Sequence, residues 1–292
     1  MSLPVVDNRL RLGGMCFAGK DPESLVSYHL RNGFSAAFDP NVEDRVHMGE
    51  IVAAFREADI AIAETTAFGI NVADPDDELR ERNISRICHR LERAERVGAR
   101  CCVAHGGTPN TPQMWQHNPE NFSQANIDRT VDAVQRILDA VKPETTVLVL
   151  ETESRILPDS PDLYLEMIRA VDRPGFAVHL DPVNITSSPR RFYFSGDFVR
   201  DCFRKLGPYI ASCHAKDIQM VRGTQVHFEE TFAGNGSLDY ATYLSELVGL
   251  DRDVPLMIEH CTPRQQGWAR DYIYEQAAAL GIPIRHAELR EL

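Results

Sequence analysis

The feature that most constrains this chain is an alternation that runs its whole length. Short apolar runs lie at Leu10–Phe17, Phe34–Asp39, Ile60–Thr65, Ala99–His105, Thr146–Glu151, Gly175–Asp181, Ile210–Lys216 and Val254–Glu259. Each is rich in Val, Ile, Leu, Ala or Cys and bounded by Gly, Pro or charged residues, the pattern of a buried strand. Longer amphipathic segments separate them. One runs from Asp21-Pro22 to about Asn32, and the others span Asp44–Ala58, Asp77–Val97, Phe122–Val141, Pro161–Val171, Gly196–Leu206, Asp239–Leu250 and Thr262–Leu280. Several stop at glycine, as helices do, at Gly33, Gly98, Gly207 and Gly281. Eight strand-then-helix units without a linker predict an α/β fold, a single (β/α)8 TIM barrel over residues 1–292. An open doubly wound sheet would place a glycine-rich phosphate turn after its first strand, whereas Gly13-Gly14 falls inside the strand run.

Composition excludes several function classes. The net charge of −12 repels phosphate backbones, so no nucleic-acid partner is expected. The seven cysteines form no C-x-x-C pair, which argues against a disulfide framework or zinc ribbon and fits a reducing cytosol. The first residues lack a signal-peptide pattern, and no apolar run approaches the roughly 18–20 residues that span a bilayer. The expectation is a soluble cytoplasmic protein with no membrane partner.

Six of the apolar runs are read as ending on an ionisable residue: Glu64, His105, Glu151, Asp181, His214 and Glu259. Strand side chains alternate, so Glu151 shares a face with Val149 and Val147, Glu259 with Met257, and His105 with Val103. If these ends point into the barrel mouth, four carboxylates and two imidazoles converge, at a cost of several kcal/mol unless a cation is bound. Mixed carboxylate and imidazole ligation suits a divalent metal ion, Mn²⁺ first, with Mg²⁺, Co²⁺ and Zn²⁺ as alternatives. A single glutamate at a strand end is as readily a cap or an ion-pair residue; six such ends are poorly explained that way. His179, two before Asp181, reads as a buried hydrogen-bonded histidine one layer lower. His260 faces away and reads as structural, and Cys101, Cys102 and Cys213 as small core residues.

At these positions the sequence resembles the xylose-isomerase-like TIM-barrel superfamily, the sugar phosphate isomerase/epimerase group. The stretches that carry the resemblance are Val-Leu-Glu151, His-Leu-Asp181-Pro-Val-Asn184, Cys-His214-Ala-Lys216-Asp217, Gly234-Asn-Gly236-Ser-Leu-Asp239 and Met-Ile-Glu259, within residues 60 to 265. The resemblance to its ketose 3-epimerases implies one metal held by Glu151, Asp181, His214 and Glu259, with the two glutamates as the acid/base pair. It also implies a carbohydrate substrate and a homo-oligomer, dimer or tetramer. This chain departs from the family at two places: Asn184 stands for a substrate-gripping histidine, and Met220 for a substrate arginine, with Arg222 in the same loop as its replacement.

The implied reaction is isomerisation or epimerisation of a sugar or keto-polyol through an enediolate, with a lyase or dehydratase of a keto-sugar or keto-inositol as the alternative at the same site. Substrate contacts are assigned to Glu64, His105, Asn184, Lys216, Trp115 and Arg222, with Glu64 and His105 also able to support the ligands from behind. Gly234 and Gly236 read as a tight turn and Asp239 as a helix N-cap. No glycine-rich phosphate cradle follows strands seven and eight, which favours a free sugar over a sugar phosphate. A DNA-repair nuclease on this barrel, with its three-metal cluster and basic groove, is disfavoured by the acidity, and a metal-less binding module is the non-enzymatic reading.

Overall fold

Parallel strands escape having exposed edges only when the last pairs with the first, and in the computed structural model they do. Residues 9–110, 113–250 and 252–288 are described. The elements are β1 (Leu10–Gly14), α1 (Pro22–Asn32), β2 (Ala36–Phe38), α2 (Arg45–Glu57), β3 (Ala61–Ala67), α3 (Asp77–Val97) and β4 (Cys101–Ala104). There follow α4 (Gln124–Val141), β5 (Val147–Glu151), α5 (Pro161–Val171), β6 (Phe176–Leu180), α6 (Pro189–Tyr193), α7 (Ser195–Leu206) and β7 (Ile210–Ala215). The chain continues through β8 (Asp217–Met220), β9 (Phe228–Thr231), α8 (Tyr240–Val248), β10 (Pro255–Ile258), α9 (Pro263–Ala279) and β11 (Ile284–Arg285). Each barrel strand pairs in parallel with the next, and β10 closes on β1 with Arg11 opposite Pro255 and Gly14 opposite Ile258. The result is the (β/α)8 barrel expected from the alternation, with β11 added below β1. Among the described residues no helix is long and apolar enough to cross a membrane.

Helix ends follow local chemistry. Asp21, Asp44, Ser123, Thr262 and Asp239 each cap a helix by accepting a backbone N–H, and Asp239 accepts from Thr242 as its position implied. Gly33 and Gly98 end their helices in the left-handed conformation, at φ 71° and 70°. Gly207 departs from that expectation: it lies at φ −42° and leads into a 3₁₀ turn, Gly207–Tyr209.

Two apolar layers result. The larger lies between strands and helices. Inside the barrel are smaller clusters, Cys101, Val103, Val149 and Ala177 on one side and Ala36, Ala63 and Met257 on the other. Val103, Val149 and Met257 thus face inward, as the parity of His105, Glu151 and Glu259 requires.

Strict alternation fails at two strands, and both failures matter. Ala37 pairs with Ile62 but Phe38 pairs with Glu64, so Ala63 is an extra residue in β3. Ile62 packs outward and Ala63 inward, and the bulge turns Glu64 inward as well. In the same way Val178 pairs with Ile210 and His179 with Ser212, which leaves Ala211 extra in β7. The strand-end reading of Glu64 is therefore corrected: β3 continues to Ala67, and Glu64 sits mid-strand and below the rim. In the connection after β7, β8 and β9 pair as an antiparallel hairpin.

Buried tyrosines anchor the strand ends that approach the mouth. The Tyr164 hydroxyl donates to Leu150 O at 2.6 Å, Tyr243 to His214 O at 2.9 Å, and Tyr240 to Lys216 O at 2.7 Å. Replacing Tyr243 by Phe leaves a buried carbonyl short of a donor, and denaturant unfolding is expected to show a loss of about 1–3 kcal/mol.

Candidate metal centre

The C-terminal rim of the barrel gathers Glu151 at the end of β5, Asp181 just after β6, His214 one residue before the end of β7, and Glu259 just after β10. One donor atom from each lies within 4.8 Å of every other. His214 Nδ1 is the centre of the group, at 2.9 Å from Glu259 Oε1, 3.2 Å from Glu151 Oε1 and 3.8 Å from Asp181 Oδ2. All four residues are buried. A cavity of about 330 Å³ at the opposite face is lined by Arg11, Asp59, Asp253 and Arg285, which pair with one another.

Lys216 supplies the permanent positive charge. Its ammonium lies 2.5 Å from Glu259 Oε1, 3.0 Å from Asp181 Oδ2 and 3.2 Å from Glu230 Oε2, and donates to Asn184 Oδ1 at 3.2 Å. Those carboxylates hold the Lys216 ammonium above its usual range despite the cost of burial. Asn184 also donates to Glu151 Oε1 at 3.0 Å, so it bridges the lysine and the glutamate. Yet Asp181 Oδ2 and Glu259 Oε1 are buried without a hydrogen bond, the ammonium lying close but out of line. Unsatisfied anionic oxygens beside an imidazole nitrogen are the donor set that a divalent cation fits.

The charges shift one another strongly. Burial lowers the His214 imidazolium, but Glu259, Glu64 and Glu151 raise it further, so the ring holds its proton well above the ordinary range. Burial raises the Glu151 carboxyl, and His214 and His105 outweigh it, so Glu151 stays ionised. Glu259 is likewise held low against its burial by His214 and Lys216.

The remaining sequence-assigned residues divide by depth. His105 lies at the rim, its Nε2 3.3 Å from Glu151 Oε2, its ring tilted 30° against Phe68 and edge-on to Trp115, with both centroid distances 4.6 Å. Arg155 lies 5.1 Å over Trp115. Glu64 is fully buried one layer down, with no surface left for a substrate, and meets His214 Nε2 at 3.2 Å and His179 Nε2 at 3.2 Å. His179 sits beside it as its parity implied. Arg222 lies exposed in the turn between β8 and β9.

Two participants had no distinct signal in the sequence. Ser212, which donates to Glu64, is aimed inward only by the bulge at Ala211. Glu230 lies in a polar stretch, and only the hairpin brings it to Lys216 and to His260 Nδ1 at 2.7 Å. Asp217 holds that connection together by accepting from Ile218, Gly234 and Leu238. An added Cβ at Gly236 would run into the Asp217 carboxylate, which explains the glycine there.

The sequence profile of the xylose isomerase-like TIM-barrel family matches residues 30–280. No curated protein matches the chain in sequence. Among solved structures, endonuclease IV from Thermus thermophilus superposes with a TM-score of 0.71 at 15% identity, covering 92% of this chain and 99% of that one. D-psicose 3-epimerase from Clostridium cellulolyticum H10, solved with D-tagatose, gives 0.67 at 12% identity, covering 93% and 99%. The probable 3-DHS dehydratase involved in petrobactin synthesis from Bacillus anthracis gives 0.66 at 18%, covering 93% and 98%. At such identities the likeness establishes the fold.

Two outcomes test the centre. Asp181→Asn keeps an oxygen to accept from Val183 N and Asn184 N, so the turn survives while a charged donor is lost. Metal content after dialysis is expected to fall at least about 10-fold with little change in the melting curve. Because a cation must displace the Nδ1 proton of His214, its affinity should rise with pH through the range where that raised imidazolium titrates. Calorimetry in buffers of different ionisation enthalpy should detect about one proton released per ion near neutral pH; no release would mean that Nδ1 of His214 carries no proton for the ion to displace.

Proposed function

The chain belongs to the xylose isomerase-like TIM-barrel family of enzymes, and from that premise we propose that it is a divalent-metal-dependent isomerase or epimerase of a free sugar or keto-polyol. The observation that carries this reading is the meeting of Glu151, Asp181, His214 and Glu259 around one point, with two carboxylate oxygens there buried and unbonded. A divalent ion, Mn²⁺ in this proposal, supplies a Lewis acid that polarises the substrate carbonyl and offsets the charge left by deprotonation.

The protein's own groups do the rest. Glu151 ends β5 and Glu259 follows β10, separated around the rim by β6 and β7, so they approach a bound carbon from different sides. Glu151 is ionised and is oriented by Asn184, His105 and His214, which suits it to take the proton next to a carbonyl. Delivery of a proton by Glu259 on the other face inverts that carbon. Return by Glu151 to the neighbouring carbon exchanges ketose and aldose instead. Asn184 and Lys216 line the floor, where the lysine favours a substrate oxyanion, and Phe68 and Trp115 form an aromatic wall at His105. The net charge of −12 weighs against a nucleic-acid substrate.

Elimination from a keto-sugar or keto-inositol is the second reading, and His105 favours it. This ring touches the base Glu151 at the rim, and in its protonated form it would supply the proton with which a departing hydroxyl leaves as water. Proton NMR of metal-loaded protein with ketoses and keto-polyols in D₂O separates the two. Deuterium at the carbon beside the carbonyl together with a new stereoisomer or aldose supports the first reading, and an enone supports the second. Glu151→Gln is expected to lower turnover by about 10²–10⁴-fold; undiminished activity would remove it from the proton transfer.

A further inference from the structure

A carboxylate sealed inside a barrel stays ionised only if donors surround it. Glu64 has three. The Ser212 hydroxyl donates to Oε1, His179 Nε2 lies 3.2 Å from the same oxygen, and His214 Nε2 lies 3.2 Å from Oε2. Both carboxylate oxygens are occupied as acceptors, and all four residues are buried. The two Nε2 atoms also lie 3.0 Å from each other. An ionised carboxylate, however, has no hydrogen to give and is a stronger acceptor than a neutral ring nitrogen. With each ring turned to its own Glu64 oxygen, the hydrogen between Glu64 and His214 belongs to Nε2.

The other end of the ring is set by this choice. A neutral imidazole that carries its hydrogen on Nε2 has a bare lone pair on Nδ1. Nδ1 is the atom facing Glu259 at 2.9 Å and Glu151 at 3.2 Å. Left alone, those two carboxylates would favour a hydrogen on Nδ1, since Glu151 Oε1 is placed to accept it and the Glu259 carboxylate lies beside it. That tautomer would point a hydrogen at the place where the four donors converge.

We infer that Glu64 is the positioning residue of this centre: it holds the Nε2 hydrogen of His214 and so commits Nδ1 to a metal ion. The inference rests on the ligand reading given above. His179 and Ser212 serve Glu64 rather than the ion, holding its carboxylate at a fixed angle below the ring. His179 Nδ1 has no partner, so the ring is held at its Nε2 end, by Glu64 Oε1 at 3.2 Å and against His214 Nε2 at 3.0 Å. The bulge at Ala63 acquires a purpose, because unbroken alternation would have aimed Glu64 outward, with Ile62.

Glu64→Gln keeps the shape and replaces one acceptor with an amide donor, which opposes an imidazole N–H. Titration calorimetry with Mg²⁺, Mn²⁺ and Zn²⁺ is expected to show affinity roughly 10–100-fold below the parent protein. Circular dichroism would confirm that the variant is folded. Nitrogen-15 spectra of the parent protein loaded with diamagnetic Zn²⁺ should show His214 protonated at Nε2 and not at Nδ1. Parent-like affinity in folded Glu64→Gln, or a loaded His214 bare at Nε2, would overturn the inference. If the variant fails to fold, the parent spectrum decides alone. A parent protein that binds metal but converts no sugar leaves the inference standing and removes the proposed reaction; one that binds no ion removes the ligand reading itself.

Discussion

One imidazole ring carries the organisation of this site. His214 lies in the barrel interior with Glu259, Glu151 and Asp181 around its Nδ1 side and Glu64 at its Nε2 side. Bringing several carboxylates out of water costs several kcal/mol each unless opposite charge and hydrogen bonds compensate. Without a bound cation the compensation comes from the Lys216 ammonium and from the proton on His214, both held above their ordinary ranges by those carboxylates. It is incomplete, because Asp181 Oδ2 and Glu259 Oε1 share one ammonium and neither makes an aligned hydrogen bond. That residual imbalance is the physical reason to expect a divalent ion.

The surrounding architecture keeps these charges from relaxing apart. Closure of β10 on β1 fixes the ring of strand ends, and Tyr164, Tyr240 and Tyr243 tie the β5 and β7 ends to helices by buried hydrogen bonds. Above the rim, the β8–β9 hairpin sends Glu230 down to Lys216 and across to His260. The same lysine therefore links two of the four clustered donors, Asp181 and Glu259, to the covering hairpin. Support comes from below through Glu64 and from above through Glu230, and neither residue belongs to the four-donor set.

How much of this was legible in the chain depends on which rule each residue obeys. Glu151 and Glu259 follow simple alternation: Val149 and Met257, two residues earlier, pack in the interior, and the carboxylates face the same way. Glu64 breaks that rule. Its neighbours Ile62 and Ala63 face opposite sides, and the extra residue at Ala63 turns the carboxylate inward at a depth that periodicity does not encode. Ser212 is aimed by the corresponding bulge in β7. Arg222 illustrates a different limit. The resemblance offers it as the stand-in for a substrate arginine at Met220, and only the tertiary structure shows that the connection is a hairpin with Arg222 exposed in its turn.

The sequence by itself determined the barrel, because the period of its apolar residues and the caps of its helices are local properties that only eight repeated units can satisfy together. It also determined which ionisable residues close the late strands. What only the tertiary structure decided is depth and direction: which side chains lie in the ligand plane, which support it from beneath, and which nitrogen of His214 faces the carboxylates. Those depend on register between strands far apart in the chain, and a one-residue bulge changes them without altering the hydrophobic pattern.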